Sequence, residues 1–193
     1  MDVSIIFPVR NIEQEIIPVI RHLDSQAVNF SYELIIVDMG SEDMTVVTAL
    51  QALHEKGING CVIQNGHVPP ADALNSGLQK ARGKYVTFVF ARRIYSQIWE
   101  SYYTAAEHSE ADIVFGSTSA DDSRIAERIS VSKVIKKKGG AEYLFSLLEG
   151  NTFVDIAALL IRRRFLLDNH LWFHEGCLFG YSDEFLYRCL LSA

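Results

Sequence analysis

Three polar clusters in this 193-residue chain stand where side-chain chemistry is possible: Pro8-Val9-Arg10-Asn11, Asp38-Met39-Gly40-Ser41 and Ala91-Arg92-Arg93. Each follows a short apolar run. The Asp38 carboxylate is an acceptor that suits either a ligand at a strand end or the cap of the helix pattern that follows. Arg92 and Arg93 carry donors and fixed positive charge but no lone pair, so they repel a metal ion. Asp183 opens another helix pattern, where an N-cap is its plain structural reading. His170 and His174 have the spacing of a helical metal pair, but no third ligand accompanies them. They read as an exposed loop around Leu171-Trp172-Phe173. Asp121-Asp122 reads as a solvated pair in a polar stretch, and Arg162-Arg163-Arg164 and Lys136-Lys137-Lys138 as exposed charge.

Composition narrows what these clusters can do. The chain is 49% hydrophobic, with 18 Lys and Arg against 24 Asp and Glu and a net charge of −6. It can bury a sizeable core as one domain. An acidic balance argues against a nucleic-acid partner, because affinity for a phosphate backbone comes from basic surface. Cys61, Cys177 and Cys189 form no CxxC pair, so neither a disulfide scaffold nor a cysteine zinc site is expected. Met1-Asp2-Val3 lacks the basic region of a signal peptide, and the apolar stretch 153–161 is broken by Asp155 and too short to span a bilayer. These features point to a cytoplasmic domain, with peripheral membrane contact as an option.

The elements that must position the clusters follow from hydrophobic pattern. Val3–Val9, Leu34–Val37, Cys61–Ile63, Tyr85–Phe90 and Ile113–Phe115 are apolar on both faces, as strands of a parallel sheet covered by helices are. Helix patterns run over 16–23, 44–53, 71–81 and 98–107. Pro18 is expected in the first turn of its helix, and Ser41 as the N-cap of the next. Residues 117–128 and 136–140 read as loops, 142–148 as a short helix, 153–161 as a strand and 183–191 as a last helix. Strand and helix alternate, which gives a doubly wound α/β fold with helices on both faces of a mostly parallel sheet. Ligands of such sheets bind beyond the carboxyl ends of the strands, where the three clusters lie. GxGxxG, GxxxxGK[ST] and GxSxG are all missing, which argues against a dinucleotide site, a P-loop and a hydrolase elbow.

Several segments, in order along nearly the whole chain, resemble the family 2 glycosyltransferases. Val3 to Asn11 is similar to their opening strand. Ile36-Val37-Asp38-Met39-Gly40-Ser41-Glu42-Asp43 resembles their VDDGSTD motif, and Ala73-Leu74-Asn75-Ser76-Gly77 with Gly83-Lys84-Tyr85 their A-R-N-x-G…G-x-Y stretch. Ala111 to Gly116, Arg163-Arg164-Phe165-Leu166 and Gly180 to Leu186 also have analogues, the last in the region of the family's Glu-Asp pair. The resemblance implies a GT-A fold over 1–193, with a nucleotide-binding half 1–116 and an acceptor-side half 117–193. It implies transfer of a sugar from a nucleotide-sugar donor to a hydroxyl, on a saccharide or lipid-linked acceptor. The two basic runs then have a second use, contact with an anionic acceptor. Because family members usually continue past the equivalent of Asp183, the resemblance also suggests a chain truncated at its C-terminus or completed by a partner subunit or second copy.

Residue roles come with the resemblance. Pro8, Val9, Arg10, Asn11, Asp38 and Asn75 fall in donor-binding segments, Pro8 and Val9 beside the base and Asp38 as acceptor from base or ribose. Asp183 matches the general base of an inverting displacement, a reading that stands beside the N-cap. The departures are as informative. Where the family places Asp-x-Asp and its Mg²⁺ or Mn²⁺, this chain has Phe90-Ala91-Arg92-Arg93. No metal cofactor is expected. Either Arg92 and Arg93 clamp the diphosphate in place of the ion, or the chain is a catalytically silent relative that serves as a binding or scaffold subunit. Met39, Leu74 and Ser182 replace a second Asp, an Arg and a Glu of the family pattern.

Overall fold

The computed structural model describes residues 1–26, 29–91, 98–116 and 139–193. Arg92, Arg93, Asp121, Asp122 and Lys136–Lys138, together with the loop expected over 117–128, lie outside the described residues. The sheet contains β1 (Val3–Val9), β2 (Tyr32–Asp38), β3 (Gly60–Gln64), β4 (Tyr85–Phe88), β5 (Ile113–Phe115) and β6 (Leu159–Arg162), in the order β3-β2-β1-β4-β6-β5. β3, β2, β1 and β4 are parallel, and β6 runs antiparallel to both β4 and β5. The order reverses between β1 and β4, which is the switch point of the sheet.

Helices cover both faces, as the pattern predicts. α1 (Glu13–Gln26), α2 (Thr45–Lys56) and α4 (Trp99–Ser109) pack over one face against Val3, Ile5, Phe7, Leu34 and Ile36. α3 (Pro70–Lys80), α5 (Gly140–Leu148), α6 (Arg163–Asp168) and α7 (Tyr181–Ser192) lie with the other, against Ile6, Ile35, Val37, Val86 and Phe88. Alternate residues of one strand thus serve two cores, which is why the strands carry no polar alternation. The second core holds an aromatic cluster: Phe173 stacks on Phe185 at 4.0 Å between centroids, and Phe88 meets both edge-on. No described helix is long and apolar enough to cross a membrane.

Five local readings are corrected. The stretch 153–161 is not one strand. Asp155 accepts from the Ala157 N–H at 2.9 Å and starts a 3₁₀ turn, Ile156–Ala158, before β6 begins. α1 starts at Glu13, so Pro18 lies inside the helix and not in its first turn. It is tolerated because Pro18 and Gln14, whose carbonyl loses a donor, are both exposed to water. α6 follows β6 directly and went unread among its arginines. Those arginines are not simply solvated either: Arg162 pairs with Asp112 at 3.3 Å, and Arg163 Nε donates to the Gly83 carbonyl at 2.9 Å. Ser41, finally, does not cap α2; its hydroxyl accepts from the Asn11 N–H.

Candidate functional site

At the carboxyl ends of β1 and β2 the register sets Val9 beside Asp38. Pro8 falls past the last β1–β4 pair, Ile6 with Phe88, so its missing N–H removes no rung on that side. Val9 is buried in the first core and its carbonyl accepts from the Met39 N–H at 2.9 Å. Asp38 is 4% exposed. Its carboxylate accepts from the N–H groups of Gly40 and Ser41 at 3.1–3.2 Å and so shapes the turn itself instead of capping α2. Gly40 has φ +80°, and a Cβ there would stand 2.7 Å from His67 Nδ1. Only glycine meets both constraints without strain.

The two loops are then stitched to each other. The Asn11 N–H donates to Ser41 Oγ at 2.9 Å, and Asn11 Oδ1 accepts from the Glu42 N–H at 2.8 Å. The Ile12 N–H donates to Thr45 Oγ1 at 2.8 Å and the Glu13 N–H to Asp43 at 3.2 Å, while Glu13 accepts from the Met44 N–H. N–H groups at or just before each helix start are thus met by side chains from the other loop. The Thr45 hydroxyl and amide hold the Asp43 carboxyl below the usual carboxylate range. Thr45 itself is fully buried. Thr45→Val keeps the shape and deletes the hydroxyl, leaving the Ile12 N–H unmet. Urea unfolding should show a loss of about 1–2 kcal/mol; an unchanged midpoint would mean that the stitch carries no stability. Arg10 is exposed at the rim and has no hydrogen-bond or ion-pair partner among the described residues.

The remaining residues stand on other elements. Asn75 is 5% exposed on α3, and its amide is spent on the backbone of Phe173: Nδ2 donates to the carbonyl and Oδ1 accepts from the N–H, both at 2.9 Å. Asp183 is in the first turn of α7, inside the helix and not at its N-cap, which is Gly180. It is exposed and unpartnered among the described residues. Its neighbour Glu184 is committed to Arg188 at 2.6 and 2.8 Å, and that guanidinium holds the Glu184 carboxyl below its ordinary range. Arg188 also donates to the Trp172 carbonyl. Past β4, the Phe90 ring packs against both cores and Ala91 against the first. Neither side chain offers an atom to a metal, and the described residues contain no group of three His, Cys, Asp or Glu suited to one.

Sequence reasoning missed Asn65, Asp72 and Ser76. Asn65 N–H donates to the Asp38 carbonyl at 3.0 Å and Asn65 Nδ2 to Ser76 Oγ at 2.6 Å. Asp72 accepts from the Gly176 N–H at 2.9 Å. The available signal was spacing: Asp72, Asn75 and Ser76 form an i, i+3, i+4 polar stripe beside the buried apolar residues of the helix.

Comparison with known proteins agrees with this architecture. The profile of Glycosyl transferase family 2 matches residues 4–171. Staphylococcus aureus TarS, residues 1–349, superposes with a TM-score of 0.78 at 20% identity, over 100% of this chain and 56% of that one. TarS has also been solved in complex with UDP-GlcNAc. The mannosyltransferase PcManGT of Pyrobaculum calidifontis, in complex with GDP-Man and Mn²⁺, superposes with a TM-score of 0.62 at 16% identity, over 94% of this chain and 49% of that one. The glycosyltransferase GlyG of Streptococcus pneumoniae serotype 4 is 26% identical over 124 residues, 59% of this chain and 38% of GlyG. The chain therefore spans well under two thirds of these relatives. The matched segment takes in both stitched loops and the whole of α3, and on it this chain belongs to glycosyl transferase family 2, with the GT-A fold.

Proposed function

We propose that the protein binds a nucleoside-diphosphate sugar across the carboxyl ends of β1, β2 and β4 and transfers the sugar, with inversion, to a hydroxyl of a saccharide or lipid-linked acceptor. The observation that carries this reading is the Asp38 carboxylate, 4% exposed yet placed at the strand end beside the switch point and oriented by two backbone N–H groups. A buried acceptor of that kind suits the donor groups of a base or ribose. Residues 1–116 supply the donor half, and residues 117–193 supply the acceptor side. Asn75 contributes by holding Phe173.

The chemistry assigned to the chain's own residues is short. Asp183 takes the proton of the acceptor hydroxyl as that oxygen attacks the anomeric carbon. The bond from that carbon to the diphosphate breaks, and the leaving nucleoside diphosphate carries the negative charge. Arg92 and Arg93, with Arg10 at the rim, neutralise it. A divalent ion of the family type would need ligands where Phe90 and Ala91 stand. These residues, whose side chains have no charge and no lone pair, do not fit it.

A second reading, a silent relative that binds without turnover, is favoured by one observation: the Phe90 ring, in place of an acid, is partly buried and packs against both cores. Calorimetric titration with UDP, GDP and UDP-GlcNAc, with EDTA or with Mn²⁺, tests the donor site. Asp38→Asn keeps one oxygen for the turn and should weaken nucleotide binding about tenfold, ~1.4 kcal/mol. Wild-type protein that binds none of the three nucleotides refutes the donor site. Binding without release of UDP from UDP-GlcNAc, in wild type and Asp183→Asn alike, selects the silent reading.

A further inference from the structure

α3 connects two parts of the molecule that are far apart in sequence. On one side, Ser76 Oγ accepts from Asn65, whose own N–H is bonded to the carbonyl of Asp38. On the other, Asn75 grips both backbone groups of Phe173, 98 residues away, and Asp72 accepts from Gly176, 104 residues away. The helix is seated without play, because Gly77 lies so close to Ile6 of β1 that no side chain fits between them. The gripped segment is built to keep its shape. Gly176 and Gly180 have φ +73° and +71°, and the Cys177 thiol donates to the Phe179 carbonyl at 2.9 Å. It exposes Leu178 and Phe179 at 61% and 88%, and it leads into the first turn of α7, where Asp183 stands.

We infer that Asp72 and Asn75 are positioning residues: the face of α3 they occupy is a bracket that sets the segment 173–183 against the nucleotide edge. The inference rests on the donor-site reading above and reassigns Asn75 from donor contact to bracket. Its physical basis is that an unrestrained glycine-flanked loop samples many conformations, while two grips from one helix reduce them to one. The grips touch only backbone atoms of the segment. They can therefore fix where Phe179 and Asp183 lie without touching donor or acceptor.

Cys177 reports on the grip, since its thiol is half-buried and bonded within the loop. Alkylation of the full-length chain with iodoacetamide, followed at the Cys177 peptide by mass spectrometry, is compared for wild type, Asp72→Ala and Asp72→Asn, with UDP affinity measured on each. The bracket predicts at least tenfold faster Cys177 labelling in Asp72→Ala, near wild-type labelling in Asp72→Asn, whose Oδ1 still accepts from Gly176, and UDP affinity within twofold throughout. Circular dichroism confirms that each variant is folded. Unchanged labelling in Asp72→Ala overturns the bracket. So does a loss of UDP affinity that parallels the labelling, because it places Asp72 in the donor site. If wild type binds none of UDP, GDP and UDP-GlcNAc, the donor reading fails by itself, and the labelling arm alone decides whether Asp72 holds the segment.

Discussion

The double substitution Arg92→Ala/Arg93→Ala is expected to weaken UDP binding by about two orders of magnitude, roughly 2.7 kcal/mol, while EDTA leaves the wild-type affinity unchanged. On the proposed donor reading, the diphosphate brings concentrated negative charge to the end of β4, where something on the protein must meet it. Phe90 and Ala91 cannot, because their side chains have neither charge nor lone pair and are packed against the cores. The residues next in sequence are the two arginines. A single pair of unit charges at about 4 Å gives roughly 4 kcal/mol at an effective dielectric of 20, and desolvation removes part of this. Two planar forks sharing the phosphate oxygens therefore suffice for the loss stated. Arg92→Lys/Arg93→Lys should recover only part of the affinity, since an ammonium keeps the charge but not the bidentate geometry. Because the interaction is largely charge on charge, added salt should weaken wild-type binding more steeply than that of the double variant. A wild-type protein that binds UDP only after Mn²⁺ is supplied would sink the clamp.

How much of this was readable before the fold was known depends on the range of each interaction. β1 and β2 were legible because they are buried on both faces, which leaves an unbroken apolar run; β3, a partly exposed edge strand, showed only as the short run Cys61-Val62-Ile63. The rim formed by Arg10, Asn11 and Asp38 was legible for a topological reason: in a parallel sheet every strand delivers its carboxyl end to the same edge. The direction of β6 was not, since a four-residue apolar strand looks alike in a parallel or antiparallel ladder. Side chains that bond to distant backbone were illegible as well. Ser41 sits where an N-cap belongs, yet its hydroxyl serves Asn11, 30 residues away. Asn75 matched a donor-binding motif, but nothing near it in sequence reveals that its amide is committed to Phe173. Local windows register turn chemistry and periodicity; they do not register which buried backbone groups elsewhere still need a partner.

Gly83→Ala should destabilise the fold by about 3 kcal/mol and lower Tm by roughly 6–12 °C, with nucleotide affinity of the folded protein unaltered. Gly83 belongs to a family-like motif, which invites a role at the site, but its constraints are entirely packing and hydrogen bonding. A Cβ here would stand 2.5 Å from the Ser4 nitrogen and 2.8 Å from both Ser4 Oγ and the Tyr85 carbonyl. Two of these are backbone atoms, and the third, Ser4 Oγ, is held in place by its own hydrogen bonds. Ser4 Oγ accepts from the Gly83 N–H at 2.8 Å and donates to Glu33 at 2.6 Å, and Glu33, 8% exposed, also accepts from the Arg82 N–H at 2.7 Å. Arg163 closes the turn from outside through the Gly83 carbonyl. Moving the backbone to admit a methyl group would break several of these bonds at once, in a place where water cannot replace them. Ser4→Ala removes the hydroxyl without the clash and should cost less, about 1–2 kcal/mol. Ser4 lies near the amino end of β1 and Val9 ends it, so the turn is on the order of 17 Å from the nucleotide edge. Thermal unfolding of the two variants beside UDP titration at low temperature separates the two roles. A Gly83→Ala protein of wild-type Tm would mean that the turn has slack, and one of wild-type Tm but lost UDP binding would place Gly83 in the site.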